Sequence, residues 1–336
     1  MKNNTKIRKS HGSGGQQSHD LLENVFIPHF RNSYLSDLED SAVLEGWNGN
    51  IAFTTDSYVV DPLQFPGGDI GKLAVSGTIN DLAVRGAKPL YLTAGFILEE
   101  GLEISVLDNI VRSMAETSKQ SGVKIVAGDT KVVSRGSADK LFINTAGIGS
   151  VPENLKLGAK YIEPGDEIII NGNIGDHGLA VLLAREDFGL ITDIESDVNP
   201  LSSLIRKVLD ADVKLHAMRD PTRGGLASTL NEIAQLRSVD MYIDEDHIPI
   251  SDTVESVCQL LGLDPFSIAN EGKALFFVAP DDCGRLLQIL GSQPLGVHAA
   301  RIGTVRAGNG QVVLNTRIGG NRLIDMPLGE LLPRIC

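Results

Sequence analysis

The stretch from 70 to 85, Ile-Gly-Lys-Leu-Ala-Val-Ser-Gly-Thr-Ile-Asn-Asp-Leu-Ala-Val-Arg, has the pattern of a helix filled with small residues, which let a helix lie close against a sheet. It follows the run Ile-Ala-Phe-Thr-Thr-Asp-Ser-Tyr-Val-Val at 51–60, which reads as a strand with Asp56 within it or near its end. Between 101 and 122, Leu107, Ile110, Val111, Met114 and Ala115 keep helical spacing up to a stop signal at Gly122. Strands are expected next at 123–128 and 141–149, and the first α/β region ends near Val151-Pro152.

Glu163-Pro164-Gly165-Asp166 is a turn signal that opens a strand at 167–170, and a helix follows Gly175-Asp176-His177-Gly178. Helices at 200–210, 223–237, 251–261 and 281–290 then alternate with strands at 213–218, 239–244 and 273–279. A hairpin turning at Gly308-Asn309-Gly310 is expected to close the region. A chain of 336 residues has room for two cores. The expected class is α/β (α+β), with a Gly-rich segment at 1–40, domains at 41–152 and 153–324, and a tail at 325–336.

The formal charge of −13 speaks against nucleic acid or an anionic membrane surface as partner. No run of about 18 apolar residues is present. The basic first ten residues lead into His11-Gly12-Ser13-Gly14-Gly15 instead of an apolar core, so no signal peptide is expected and a cytoplasmic location is. Cys258, Cys283 and Cys336 show no metal-ligand or disulfide spacing. The first two fall in helical patterns as small core residues, leaving Cys336 for chemistry. It ends Pro333-Arg334-Ile335-Cys336, on a tail from Asp325 that spans roughly 40 Å when extended. Such an arm can carry a thiol between a partner and a pocket of its own chain.

Other segments offer chemistry, each beside a plainer role. The glycines of 11–15 suit an anion-cradling nest or a flexible linker. Asp56, Asp69, Asp81 and Asp220 suit Mg²⁺ if the fold gathers them, or act singly as caps and turn formers. Gly128-Asp129-Thr130-Lys131 follows an apolar strand, where α/β sheets bind ligands, and Lys131 is either a phosphoryl-charge stabiliser or a solvated lysine. In Asn270-Glu271-Gly272-Lys273, Glu271 is a general base if desolvated, or a turn carboxylate.

Taken in order, HGSGG (11–15), TDSYVV (within 54–60), FPGGDIGKLAVSGTINDLAVRGAKP (65–89), GFILEEGL (95–102), GDTKVV (128–133), KLFINTAG (140–147), GDHG (175–178), RDPTRGG (219–225), ANEGK (269–273) and PRIC (333–336) resemble the HypE family of hydrogenase maturation. That family lies in the superfamily of aminoimidazole ribonucleotide synthetase and selenophosphate synthetase. The resemblance implies that superfamily's two-domain fold and a homodimer in which N-terminal sheets pair across the two-fold axis. It implies an ATP-dependent carbamoyl dehydratase: Cys336 takes a carbamoyl group from the carbamoyltransferase HypF, and ATP drives its dehydration to a thiocyanate. The cyano group then passes to iron on a HypC–HypD complex for the [NiFe] hydrogenase centre. By residue match, Cys336, Lys131 and Glu271 are catalytic. His11, Gly12, Ser13, Gly14, Gly15, Asp129, Thr130 and Asn270 bind ATP, with 11–15 a lid over its phosphates. Asp56, Asp81, Asp220 and Asp69 are implied to hold Mg²⁺. Two alternatives stand beside this. A selenophosphate synthetase-like phosphotransferase would carry its reactive cysteine in the N-terminal region, and no cysteine precedes Cys258. A non-catalytic nucleotide-regulated cyano-group carrier would need neither Lys131 nor Glu271.

Overall fold

The computed structural model describes residues 6–12, 16–35, 41, 42, 44, 49–327, 329, 332 and 334–336. Ser13, Gly14 and Gly15 lie outside the described residues.

The small-residue helix forms over Ile70–Val84, capped by Asp69, whose carboxylate accepts from the Lys72 amide at 2.8 Å. Of its fifteen residues only Lys72 and Asp81 keep solvent contact. A helix apolar all round must be covered all round. One side lies on a four-stranded sheet in the order Asn50–Tyr58, Leu141–Val151, Lys88–Glu99, Lys124–Val133. Another meets the amphipathic helix Ile104–Gln120, and a third meets the helix Ser202–Asp210 from the later part of the chain. The glycines set these distances: a Cβ on Gly71 would fall 2.5 Å from the Ile110 carbonyl oxygen, and one on Gly77 would fall 2.3 Å from the Tyr58 hydroxyl.

Helix covers only one face of this sheet. Along Asn50–Tyr58, Thr54, Asp56 and Tyr58 face the helix, while Ile51, Phe53, Thr55 and Ser57 face away. Phe53 is 71% exposed and Ile51 58%, and Ile97 on Lys88–Glu99, two strands away, shares their face.

The second sheet has seven strands, ordered Asn321–Leu323, Val312–Asn315, Val239–Asp244, Ala300–Ala307, Glu167–Ile170, Leu275–Val278, Leu215–Arg219. Its middle strands are buried on both faces. Phe276, Ile169 and Met218 pack with the helices Ser202–Asp210 and Cys283–Gly291, whereas Phe277, Ile168 and Ala217 pack with the helix Gly225–Arg237. Continuous apolar runs are what two-sided burial requires.

Two expectations change. Lys88–Glu99, the most extensively paired strand of the first sheet, was not anticipated; Pro89 and Thr93-Ala94-Gly95 interrupt its apolar pattern. The turn at Gly308-Asn309-Gly310 does not join a hairpin. Val312–Asn315 runs parallel to Val239–Asp244, which separates it from Ala300–Ala307. The Asp240 carboxylate accepts from the amides of Asn309, Gly310 and Gln311 at 2.8–3.1 Å and so carries the turn across the intervening strand. Cys258 is buried in the core, while Cys283 is half-buried at the start of its helix.

Residues 334–336 lie along the chain just after the strand Asn50–Tyr58. The amides of Val59 and Asp61 donate to the backbone oxygens of Cys336 and Arg334 at 3.1 and 3.2 Å. The Arg334 guanidinium reaches the Val59 carbonyl and Asp139, and Leu332 and Ile335 are buried in the core that joins both halves of the molecule. Among the described residues, no helix is long and apolar enough to cross a membrane.

The Gly77 contact is testable. Gly77→Ala should cost about 1–3 kcal/mol in denaturant unfolding through overpacking against Tyr58. Adding Tyr58→Phe should recover part of that loss, giving a coupling energy well above the additive expectation.

Candidate functional site

Two groups of side chains gather, one beside the Ile70–Val84 helix and one at the Lys124–Val133 edge of the first sheet. The group on the helix side is acidic. Asp56 comes from the end of its strand, Asp81 from the exposed edge of the Ile70–Val84 helix, Asp220 from the loop before the Gly225–Arg237 helix, and Glu271 from the loop before Leu275–Val278. Asp81 accepts from the Thr54 hydroxyl at 2.8 Å. Burial, and to a lesser degree the charge of Asp56, raise its pKa, while Arg219 and Arg223 oppose the rise. Asp220 is pushed up to about 7 by burial and then by Asp81. Glu271 is held well above the ordinary carboxylate range by burial first, then by Asp197, Asp220, Asp56 and Asp81. These four carboxylates feel one another, and the surplus negative charge is only partly met by the two arginines. That is the electrostatic condition for drawing in a cation.

Among the described residues, no three of these side chains already surround one point as metal ligands. Mg²⁺ does not require that, since it takes one or two carboxylates and completes its shell with phosphate oxygens and water. Asp69 stands apart from the cluster because its carboxylate is spent as the helix cap.

Glu271 is positioned by backbone bonds on both sides. Asp197 accepts from the amides of Glu271 and Gly272 at 3.0 and 3.2 Å and from the Lys273 ammonium at 2.9 Å. Burial opposes ionisation of Asp197, but Lys273 foremost among its partners brings the pKa below the usual value. The Asn80 amide donates to the Glu271 carbonyl oxygen at 3.2 Å. Asn270 is fully buried, with its amide nitrogen bonded to the carbonyls of Pro221 and Ile268 and its oxygen to the Gly175 amide. Its side chain braces three loops and has no donor left for a nucleotide.

The Cys336 end of the tail adjoins the acidic group. Cys336 shares a cavity of about 390 Å³ with Ser57, Val59, Arg223, Gly224 and Ser228. Arg223 also acts on Asp81, and Val59 follows Tyr58, whose phenol is raised by burial and then by Asp56 and Glu271.

The other group lies at the far edge of the sheet. Register pairs Asp129 with Gly95, Gly95 with Asn144, and Asn144 with Ser57, so Asp129 is three strand spacings, ~14 Å, from Ser57. Lys131 pairs with the outward-facing Ile97 and so lies on the open face, bonded to Asp129 at 2.8 Å. That bond, above the effect of burial, keeps the Asp129 carboxyl below its ordinary pKa. His11, Gly12, Thr130 and Lys131 rim a cavity of about 460 Å³ whose apolar wall includes Phe26 and Phe30. Gly12 presses on the strand: its Cβ would meet the Val132 amide nitrogen at 2.5 Å. On one chain, then, Lys131 and Glu271 do not share a face.

Asn80, Asp197, Arg223 and Tyr58 were not anticipated as parts of the site. Asn80 and Arg223 sit inside segments already noted, beside Asp81 and Asp220, whereas Asp197 lies in an irregular stretch with no local signal.

The family described as "AIR synthase related protein, N-terminal domain" matches residues 38–151, and its C-terminal domain counterpart matches 163–315. Carbamoyl dehydratase HypE of Rhodobacter capsulatus is 47% identical, with 98% of each chain covered. A crystal structure of hydrogenase maturation protein HypE in complex with ATP superposes with a TM-score of 0.94 at 45% identity, covering 98% of this chain and 99% of that one. A HypE–HypF complex structure gives 0.80 at 48% identity, covering 91% and 99%.

The carboxylates make a pH prediction for the metal-free protein. A carboxyl whose pKa is raised on folding holds its proton where the unfolded chain has released it, so stability falls as pH rises from about 4 towards 7. Asp220→Asn should match the wild type near pH 4 and exceed it at pH 7.5. Because Asp220 keeps some solvent contact, the gain should be on the order of 1–2 kcal/mol, read from urea midpoints across that range.

Proposed function

The chain belongs to the carbamoyl dehydratase HypE family of AIR synthase-related proteins, an ATP-dependent dehydratase family of hydrogenase maturation, and from that premise we propose how its residues do the work. The observation that carries the reading is the docked Cys336 in a cavity joined through Arg223 to the acidic group of Asp56, Asp81, Asp220 and Glu271.

The substrate is a carbamoyl group on the Cys336 sulfur, supplied by HypF. Its amide oxygen is a poor leaving group. The oxygen attacks the γ-phosphorus of ATP, ADP departs and one N–H proton is lost, giving an iminophosphate. Loss of the remaining N–H proton then expels phosphate and leaves S–C≡N. Glu271 takes a proton, since the burial and neighbouring carboxylates that raise its pKa make its carboxylate a stronger base. Lys131 offsets charge on the phosphoryl group. Asp56, Asp81 and Asp220 are the residues that would hold Mg²⁺, which supplies charge neutralisation on the phosphates when bound. The cavity behind His11 and Gly12 suits the nucleotide, with an apolar wall for the base and the Gly12 and 128–131 backbone at its rim for phosphates.

The open face of the first sheet explains how Lys131 joins the site. Ile51 and Phe53 form an uncovered apolar patch of the kind that marks an interface, and Ile97 lies farther along the same face. We take it as the homodimer seam, which brings Lys131 to the boundary between two copies. Domain limits at 41–152 and 153–324, delivery to iron on a HypC–HypD complex, and a cytoplasmic location complete the reading.

Intact mass tests the chemistry. With HypF, carbamoyl phosphate and ATP, Cys336 should gain one carbamoyl and then lose one water. Lys131→Ala and Glu271→Gln should stop at the carbamoyl adduct, with dehydration slowed at least 100-fold; unimpaired dehydration in both would remove these residues from the chemistry, and no dehydration in the wild type would leave a carrier. A second test concerns the seam: Phe53→Asp should convert the dimer to a monomer in light scattering, and an unchanged mass would remove the interface.

A further inference from the structure

His177 has no part in the chemistry above, yet it is fully buried and touches the tail. It occupies the first turn of the helix Asp176–Arg185, entered through a left-handed Gly175. Its Nε2 lies 2.9 Å from the Ile335 carbonyl oxygen, and its Nδ1 lies 2.8 Å from the Ser196 hydroxyl. A carbonyl oxygen only accepts, so Nε2 carries the hydrogen. In the neutral ring Nδ1 is then bare and accepts from Ser196, whose oxygen accepts in turn from the Val198 amide at 3.1 Å. Burial favours that neutral form. Phe65 stands edge-on to the ring at 5.5 Å and limits its tilt.

Arg334 sits in a left-handed turn (φ 54°), and from there the tail's backbone oxygens are bonded on two sides. Those of Arg334 and Cys336 accept from the Asp61 and Val59 amides, and the Ile335 carbonyl is turned to His177. We propose that His177 is a positioning residue that latches the docked tail. By fixing the carbonyl next to Cys336 from the opposite edge, it sets the orientation of the group carried on the sulfur and the fraction of time the tail is docked. The dehydration arm of this inference rests on the reading of the preceding subsection; the latch itself does not.

The test reads thiol accessibility without partner or nucleotide. Full-length wild type, His177→Phe, His177→Gln and Ser196→Ala are treated with a small maleimide, and modification of Cys336 is timed by peptide mass. His177→Phe removes the N–H and should label roughly tenfold faster. His177→Gln keeps an amide N–H at similar reach and should stay near wild type. Ser196→Ala retains the ring but frees its tautomer, and should label several-fold faster even if His177→Phe fails to fold. Equal rates in wild type and Ser196→Ala, or a His177→Gln rate equal to that of a folded His177→Phe, would overturn the latch. In single turnovers of carbamoylated protein, His177→Phe should dehydrate more slowly by a similar factor while accepting carbamoyl from HypF at an undiminished rate. Failure of the wild type to dehydrate would count against the assigned function and leave the labelling result to decide the latch.

Discussion

Asn80 is the joint on which the arrangement turns. It sits on a helix packed against the first sheet, yet its side chain is spent entirely on the rest of the chain. Its nitrogen donates to the carbonyls of Asn199 and Glu271, and its oxygen accepts from the Leu201 amide at 2.7 Å. A buried amide with these bonds has only one comfortable position, because any shift leaves a polar group unsatisfied without water. The next residue is Asp81. Asn80 therefore fixes, in one contact, the distance between a carboxylate of the first half and Glu271 of the second.

That joint explains why the acidic group tolerates its own repulsion. Asp197 and Lys273 clamp the Glu271 loop from behind with an ion pair that is almost wholly buried, so the loop cannot relax away from Asp56, Asp81 and Asp220. The strain is electrostatic and is carried by the two halves together. Such an arrangement suits a site whose charge is meant to be completed by something bound.

Much of this was legible in the sequence where a periodic signal existed. The small residues of 70–85 announced a helix under close approach, and Gly71 and Gly77 do meet backbone or a phenol there. The amphipathic spacing of Leu107, Ile110, Val111 and Met114 placed the next helix, and these four side chains lie on its buried face together with Thr117 and Ser118. What escaped was decided by tertiary partners. Asp240 overrode a strong hairpin signal by capturing three turn amides. The match that grouped Lys131 with Glu271 carried no information about which face of the sheet each would occupy, because that follows from register between strands far apart in sequence. Asn270 looked like a ligand residue beside Glu271, and the local backbone consumes it instead.

The docking of residues 334–336 through their backbone makes the tail a ligand tethered to its own receptor. A short flexible tether holds a ligand at an effective concentration on the order of millimolar. If a free peptide of this sequence bound with micromolar affinity, the tethered tail would be docked about 99.9% of the time, and a partner would meet it only in the remaining thousandth. Efficient exchange between two sites instead calls for an intrinsic affinity close to the tether's own concentration. Three backbone carbonyls, one guanidinium and two buried aliphatic side chains are a small enough set of contacts to meet that condition, and strengthening any one of them would slow the traffic they serve.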